Sequence, residues 1–122
     1  MTLDELKLYE SHPTRGTEIL STIHSIPGDI LQIVLEHHES CAGTGFPSGL
    51  KKNHIHPMAR VVTVADELCR MIIKSPGSES LSIIEALEKI YIYRSQEFDR
   101  VVLEALIKLF NPETLKKIEA TR

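Results

Sequence analysis

The sequence has little of what several specialised protein classes require. Its only two cysteines, Cys41 and Cys69, lack the close spacing of a metal-binding pair, and two thiols make a poor disulfide framework. No apolar run approaches the roughly 18 residues that span a bilayer, and the first residues lack the basic and apolar regions of a signal peptide. A reducing cytoplasm is the usual compartment for such a chain. We therefore expect a cytoplasmic protein without a membrane segment.

A strong basic charge is also absent. The chain has 17 acidic residues against 14 lysines and arginines, which leaves a net charge of -3. No broad positive field therefore exists to bind a nucleic acid polymer or an anionic lipid surface. The 122 residues are 42% hydrophobic and 25% charged, which is typical of one soluble globular domain. We expect a single domain over residues 1–122.

Helical patterns dominate the first half of the chain, and strand patterns are scarce. Thr2 followed by Glu5 predicts a capping box and a short helix through about residue 10. Pro13 suits the first turn of a second helix. A third helix is predicted after a proline–glycine break, with Asp29 as its candidate cap.

The second half continues the helical pattern. A long helix is predicted from Pro57 to about residue 73, with an inward track of Ala59, Val62, Asp66, Cys69 and Ile73. The residues beside this track are Val61, Ala65, Leu68 and Ile72. The segment 75–78 is interpreted as a linker. Three more helices are predicted near residues 80–93, 96–110 and 112–120, the second with a stripe of Phe98, Val101, Val102, Ala105, Leu106 and Leu109. The chain is therefore predicted to be all-α, a bundle of about six helices.

Two adjacent histidines end the apolar run of the third helix. Ile30, Ile33, Val34 and His37 recur at helical spacing, which places His37 on the buried face. Because a helix advances about 100° per residue, His37 and His38 are not expected to face one small ion together. They can serve two neighbouring ions, or one can bind while the other reaches a substrate. A pair of metal ions can clamp both the attacking and leaving oxygens of a phosphodiester.

A glycine-rich loop over residues 39–56 follows the histidine pair. Gly43, Gly45 and Gly49 permit positive φ angles and a close approach of backbone N–H groups to an anion. The simpler interpretation is a connection between helices. Long loops in compact domains are, however, usually functional or disordered.

Two further residues are candidate ligands, each with a plainer alternative. Asp66 lies on the apolar track of the long helix, and a buried carboxylate is costly unless it is paired or bound to a metal. The alternatives are an ion pair with Arg60 or Arg70, or a helix-capping role. His12, just before Pro13, can supply another imidazole or be a capping or surface residue. The remaining histidines are interpreted as surface or loop residues: His24, His54 and His56.

Three motifs in this order resemble the HD-GYP family of bacterial metal-dependent phosphohydrolases, whose usual substrate is cyclic di-GMP. They are His12-Pro13-Thr14-Arg15-Gly16, then His37-His38-Glu39 leading into Gly43-Thr44-Gly45-Phe46-Pro47-Ser48-Gly49-Leu50, then Ala65-Asp66. The resemblance covers residues from about 3 to 110.

The resemblance implies a specific site. It puts His12, His37, His38 and Asp66 at metal-ligand positions. It puts Gly45, Phe46 and Pro47 at the signature triplet that lines the substrate pocket. It also implies two or more divalent ions, namely iron, manganese or zinc. The fold it implies is the C-terminal part of an HD-type helical domain.

The chain also departs from the family pattern. Phe46 replaces the signature tyrosine, Ala42 and Cys69 replace aspartates, the segment 75–78 replaces a ligand-holding motif, and the namesake His-Asp pair belongs upstream of residue 1.

Two functions therefore stay open. One is a cyclic di-GMP phosphodiesterase, incomplete or inactive as this isolated chain. The other is a non-catalytic domain that senses a nucleotide or docks a signalling partner. Upstream fused signalling domains and a homodimer are expected partners, and a plain helical interaction module is a third possibility.

Overall fold

The computed structural model describes residues 1–73, 81–110 and 113, and this part of the chain is helical. Its α-helices are α1 (Leu3–Glu10), α2 (His12–Leu20), α3 (Gly28–Glu36), α4 (Pro57–Ile72), α5 (Ile83–Tyr93) and α6 (Arg100–Phe110). Short 3-10 turns cover Lys52–His54 and Ser95–Glu97. The described residues contain no strand, only an isolated bridge between Ala42 and Lys51. The all-α prediction is confirmed.

The chain divides into two compact units, Met1–Thr63 and Val64–Arg122, and the boundary lies within α4. In the first unit, α2 packs on α3. Gly16 permits this close packing, because a Cβ at that position would lie 3.3 Å from a methyl carbon of Val34. The capping box of α1 is confirmed, with the Glu5 amide donating to the Thr2 hydroxyl oxygen at 3.1 Å. Pro13 lies in the first turn of α2, as predicted.

The start of α3 differs from the prediction. Pro27 occupies the N-cap position, and no side chain caps the helix. Asp29 lies inside the first turn instead, and its carboxylate approaches Nε2 of His56 at 3.6 Å. The helix begins without a side-chain cap because Pro27 has no side-chain oxygen to accept a hydrogen bond from the first amides.

The second unit has an apolar core built from α4, α5 and α6. Its buried members are Val64, Leu68, Ala86, Leu87, Ile90, Tyr91, Phe98, Leu103 and Ile107. Burying a large apolar side chain contributes about 1.5–3 kcal/mol, so this cluster is the main source of stability in the unit. Arg94 joins the turn after α5 to α4 through Glu97 at 2.9 Å and Glu67 at 2.7 Å. Hydrogen bonds to Glu97 and Glu67 raise the pKa of Arg94 above its usual range.

The predicted inward track of α4 is wrong in register. Val62 and Cys69 are exposed, whereas Val64, which was not on the track, is buried together with Leu68, which was predicted beside it. Ala59 alone of the predicted track is fully buried. Apolar residues cover most of the circumference of this helix, so their spacing allows more than one inward face. Packing in the second unit selects the face that carries Val64 and Leu68.

The start and the buried face of α6 also differ from the prediction. It begins at Arg100, because buried Asp99 accepts a hydrogen bond from the Val101 amide at 2.9 Å and so caps the helix there. Leu103 and Ile107 form its buried face, while Val101 and Leu109 are exposed. The predicted helix over 112–120 and the linker over 75–78 lie outside the described residues. Within the described ranges, no helix is both long and apolar enough to cross a membrane.

Candidate metal centre

Three histidines of the first unit converge on a small volume. His12 begins α2, His37 caps the end of α3, and His38 lies in the turn beyond it. Each offers one ring nitrogen, and the three nitrogens lie within 4.8 Å of one another. All three residues are half-buried. The packing of α2 on α3 therefore brings together imidazoles that are 25 residues apart in the chain.

The adjacent histidines do not diverge as helix geometry predicts. Their ring centroids are 4.2 Å apart. The prediction assumed that both residues are helical, but α3 ends at Glu36 and His38 lies outside the helix. The turn removes the rotation of about 100° that a continuing helix would impose. His37 and His38 are therefore free to face the same volume.

Backbone carbonyls orient two of the three rings. Nδ1 of His12 donates to the Tyr9 carbonyl oxygen at 2.5 Å, and Nδ1 of His37 donates to the Val34 carbonyl oxygen at 2.5 Å. A carbonyl oxygen only accepts, so both rings carry a hydrogen on Nδ1, and in the neutral imidazole this leaves Nε2 as the nitrogen that can bind a metal. An outer hydrogen bond of this kind is the usual way in which proteins fix a metal-binding histidine.

The Nε2 atoms of His12 and His37 face one another. Nε2 of His12 lies 3.3 Å from Nε2 of His37. Two nitrogen lone pairs at this distance repel one another unless a proton or a metal ion lies between them. Nitrogens bound about 2.0–2.1 Å from a tetrahedral ion are about 3.3–3.4 Å apart. The donor set and its spacing therefore fit a divalent cation.

A threonine of α4 anchors the histidine pair. The Thr63 hydroxyl lies 2.8 Å from the carbonyl oxygens of both His37 and Ala59. The contact with His37 ties the end of α3 to α4 within the first unit. It fixes the backbone from which the ring projects.

Two aromatic rings surround the histidines. Phe46 stacks on His38 with a centroid distance of 5.0 Å and an interplanar angle of 17°. The Tyr9 ring lies 5.1 Å from His12, 5.8 Å from His38 and 5.8 Å from Phe46, measured between centroids. Sequence patterns did not point to Tyr9, although its position three residues before His12 was a usable signal. The pocket-lining role of Gly45, Phe46 and Pro47 stays a prediction.

Gly45 brings the loop against the histidine turn. A Cβ at this position would lie 2.5 Å from the Ser40 amide nitrogen and 2.7 Å from the Glu39 carbonyl carbon, so no other residue fits without a backbone shift. The next amide, of Phe46, donates to the His38 carbonyl oxygen at 3.2 Å. Gly43 and Gly49 adopt positive φ angles of 82° and 67°, as their residue type permits.

Two buried carboxylates flank the histidine pair. Glu36 is 4% exposed and Glu39 is 2% exposed. Glu36 accepts from the His56 amide at 2.8 Å, and Glu39 accepts from the Ser48 and Leu50 amides. Sequence patterns assigned neither residue a role. The available signal was their position on either side of the two histidines.

Asp66 is the predicted ligand that lies in the second unit. Its carboxylate pairs with Arg70 at 3.2 Å. The ion-pair alternative with Arg70 is therefore confirmed. Its role as a metal ligand stays a prediction.

The remaining histidines lie apart from the cluster of three. His24 and His54 are exposed. His56 is a loop residue, as predicted, but it is half-buried, and its Nδ1 accepts from the Met58 amide at 3.1 Å in the first turn of α4. His56 is thus a helix-capping residue.

Comparison with known proteins identifies the family. The family model described as HD domain matches residues 1–102. The chain belongs to the HD domain family. Its resemblance to the HD-GYP type is also confirmed.

Curated HD-domain relatives are much longer than this chain. The cyclic di-GMP phosphodiesterase response regulator RpfG of Xanthomonas campestris is 34% identical over 110 residues, which cover 88% of this chain and 29% of RpfG. A cyclic di-GMP phosphodiesterase of Thermotoga maritima is 34% identical over 113 residues, which cover 89% of this chain and 30% of that protein. The chain thus spans about 30% of the length of these relatives.

A solved structure shares the fold. Bd1817, an HDG"Y"P protein from Bdellovibrio bacteriovorus, matches with a TM-score of 0.73 and 24% identity. The match covers 90% of this chain and 34% of Bd1817. The HD-type helical arrangement is therefore present in this chain.

Proposed function

We propose that this chain supplies part of the metal centre of a cyclic di-GMP phosphodiesterase. The observation that carries the proposal is the convergence of three histidines, with the Nε2 atoms of His12 and His37 3.3 Å apart. The two relatives are named as cyclic di-GMP phosphodiesterases, which supports the choice of substrate. His38 is the third nitrogen ligand in this proposal, and Asp66 is the candidate carboxylate.

The proposed centre holds two or more divalent ions, and imidazole ligands suit iron, manganese and zinc. Bound ions of this kind supply Lewis acidity that polarises the phosphoryl oxygens of a substrate. The protein itself contributes orientation. The Tyr9 and Val34 carbonyls hold two rings in one tautomer, and the Phe46 ring offers an apolar surface beside His38 for a nucleobase.

Metal content tests the ligand assignment. We expect His37→Gln and His38→Gln each to lower the bound manganese or zinc, measured by elemental analysis after equilibrium dialysis, at least tenfold. Helicity, measured by circular dichroism, should change little. The matched control is His54→Gln, which removes an exposed histidine outside the cluster. Metal content unchanged by both cluster variants would contradict the assignment.

A nucleotide-sensing domain without catalysis is the second candidate. Phe46 favours it, because its ring has no hydroxyl to donate to a substrate. The discriminating experiment uses the full-length parent protein with cyclic di-GMP. Hydrolysis supports the phosphodiesterase, whereas binding with metal retained and no cleavage supports the sensor. The isolated chain is expected to have negligible turnover, and measurable cleavage by it would contradict that expectation.

Exposed apolar side chains support a partner surface on the first unit. Leu3, Leu8 and Ile19 are 68%, 57% and 67% exposed. Burying such residues is favourable, so we infer contact with fused domains or a second copy of the chain. A monomeric sedimentation profile of the isolated chain would count against the homodimer.

A further inference from the structure

The two buried acids beside the histidines differ in how many hydrogen bonds they accept. A carboxylate removed from water is costly unless its oxygens are satisfied. Glu36 uses one oxygen, Oε1, which accepts from the His56 amide at 2.8 Å. Glu39 uses both, with Oε2 accepting from the Ser48 amide at 2.8 Å and Oε1 from the Leu50 amide at 2.9 Å. Hydrogen bonds to carboxylates are stronger than neutral ones, so Glu39 is a firm attachment point.

These attachments lie at different places along the glycine-rich loop. Glu36 holds the end of the loop, where α4 is about to begin. Glu39 holds its middle, two residues and four residues beyond Phe46. On the other side of Phe46, Gly45 is pressed against the backbone of residues 38–40. The segment that carries Phe46 is therefore fixed on both sides to the histidine turn.

We propose that Glu39 is a positioning residue of the metal centre. Its carboxylate holds the loop so that the Phe46 ring lies on His38, and this contact orients the His38 imidazole. The proposal rests on the proposed function only in taking His38 as a metal ligand. Glu36, equally buried and adjacent to the same histidine pair, does not hold this part of the loop.

The number of oxygens in use makes the two acids a matched pair for mutation. Glutamine keeps one acceptor oxygen and replaces the other with an NH₂ donor. Glu36→Gln can still accept from the His56 amide. Glu39→Gln cannot accept from both Ser48 and Leu50, and its NH₂ group would face one of the two N–H donors. The two substitutions remove the same charge at the same depth, so only the second should release the loop.

Nuclear magnetic resonance of the full chain measures the loop and the ring directly, without metal. In E39Q, we expect the Ser48 or Leu50 amide to exchange with solvent at least tenfold faster than in the wild type. We also expect the His38 ring protons to lose the upfield shift that the stacked Phe46 ring imposes. In E36Q, both observables should stay at wild-type values. Phe46→Ala supplies the reference shift for an unstacked His38.

Cobalt(II) titration then tests the consequence for ligation. We expect E39Q to weaken cobalt binding about tenfold and to alter its visible absorption spectrum, with E36Q within about twofold of the wild type. Should E39Q fold poorly, Glu39→Asp keeps the charge but shortens the reach by one methylene, and it should release at least one amide. An intermediate cobalt affinity in E39D would support a positioning role.

The outcomes separate this proposal from the proposed function. Unchanged amide exchange and an unchanged His38 shift in E39Q would overturn the proposal, as would equal effects of E36Q and E39Q. Released amides with unaltered cobalt affinity would also overturn it. Failure of the wild-type chain to bind cobalt would count against the metal centre alone. The amide exchange rates and the His38 ring-proton shifts are measured without metal, so they still test whether Glu39 holds the loop.

Discussion

Around the histidines, the first unit buries several polar side chains, whereas the core of the second unit is mainly apolar. The buried polar residues beside the histidines are Glu36, Glu39 and Ser40. The core of the second unit has nine apolar or aromatic members. Apolar packing is non-directional, whereas hydrogen bonds fix distances and angles. We therefore expect apolar packing to stabilise the second unit. In the first unit, buried hydrogen bonds hold the three imidazole rings and the glycine-rich loop in position.

Truncating a core residue of the second unit should have the largest effect on stability. We expect Leu103→Ala, at a fully buried position of α6, to lower the free energy of unfolding by about 2–5 kcal/mol. Leu109→Ala removes the same atoms from the same helix at a position that is 75% exposed. This control should stay within about 0.5 kcal/mol of the wild type. Urea denaturation measures both, and equal losses would contradict the assignment of the core.

A methyl group at Gly45 should disturb the first unit more than its size suggests. Because the added Cβ would collide with backbone atoms of the histidine turn, we expect Gly45→Ala to lower stability by about 1–3 kcal/mol and to weaken cobalt binding. Gly28→Ala is the control, since a Cβ there meets nothing within 4 Å. Thermal unfolding and cobalt titration measure the two effects. Wild-type behaviour of G45A would show that the loop does not press on this turn.

Removing the ion pairs of Arg94 in the second unit should have the smallest effect on stability. We expect Arg94→Met to lower stability by about 1 kcal/mol or less, because its ion pairs with Glu67 and Glu97 are partly exposed. About 1 M salt should reduce the difference. Lys108→Met, at an exposed position of α6, should change stability by less. If R94M lowered the free energy of unfolding by more than about 2 kcal/mol, the claim that apolar packing is the main source of stability in the second unit would be contradicted.

Local signals predicted the parts of the fold that depend on neighbouring residues. The capping box at Thr2, Pro13 near the start of α2 and Pro57 at the start of α4 were all predicted. The buried face of α4 was predicted only in part. Ala59 and Leu68 lie on or beside the predicted track, whereas Val64 was missed, because apolar residues surround that helix and packing selects the face.

The candidate site, like the fold, was predictable only where local sequence signals determine it. Motif resemblance pointed to the histidines, but their convergence depends on where α3 ends. The roles of Tyr9 and Glu39 depend on contacts with rings and amides that are distant in sequence. Spacing alone carries no information on such contacts.

The most direct test of the metal centre is long-range ¹H–¹⁵N correlation of the histidine rings, with and without zinc. We predict that His12 and His37 are Nδ1-protonated in the metal-free chain. Zinc should then shift the Nε2 resonances of both, while exposed His54 does not respond. Nε2-protonated rings, or spectra that zinc leaves unchanged, would contradict the claim that these imidazoles converge to bind a cation.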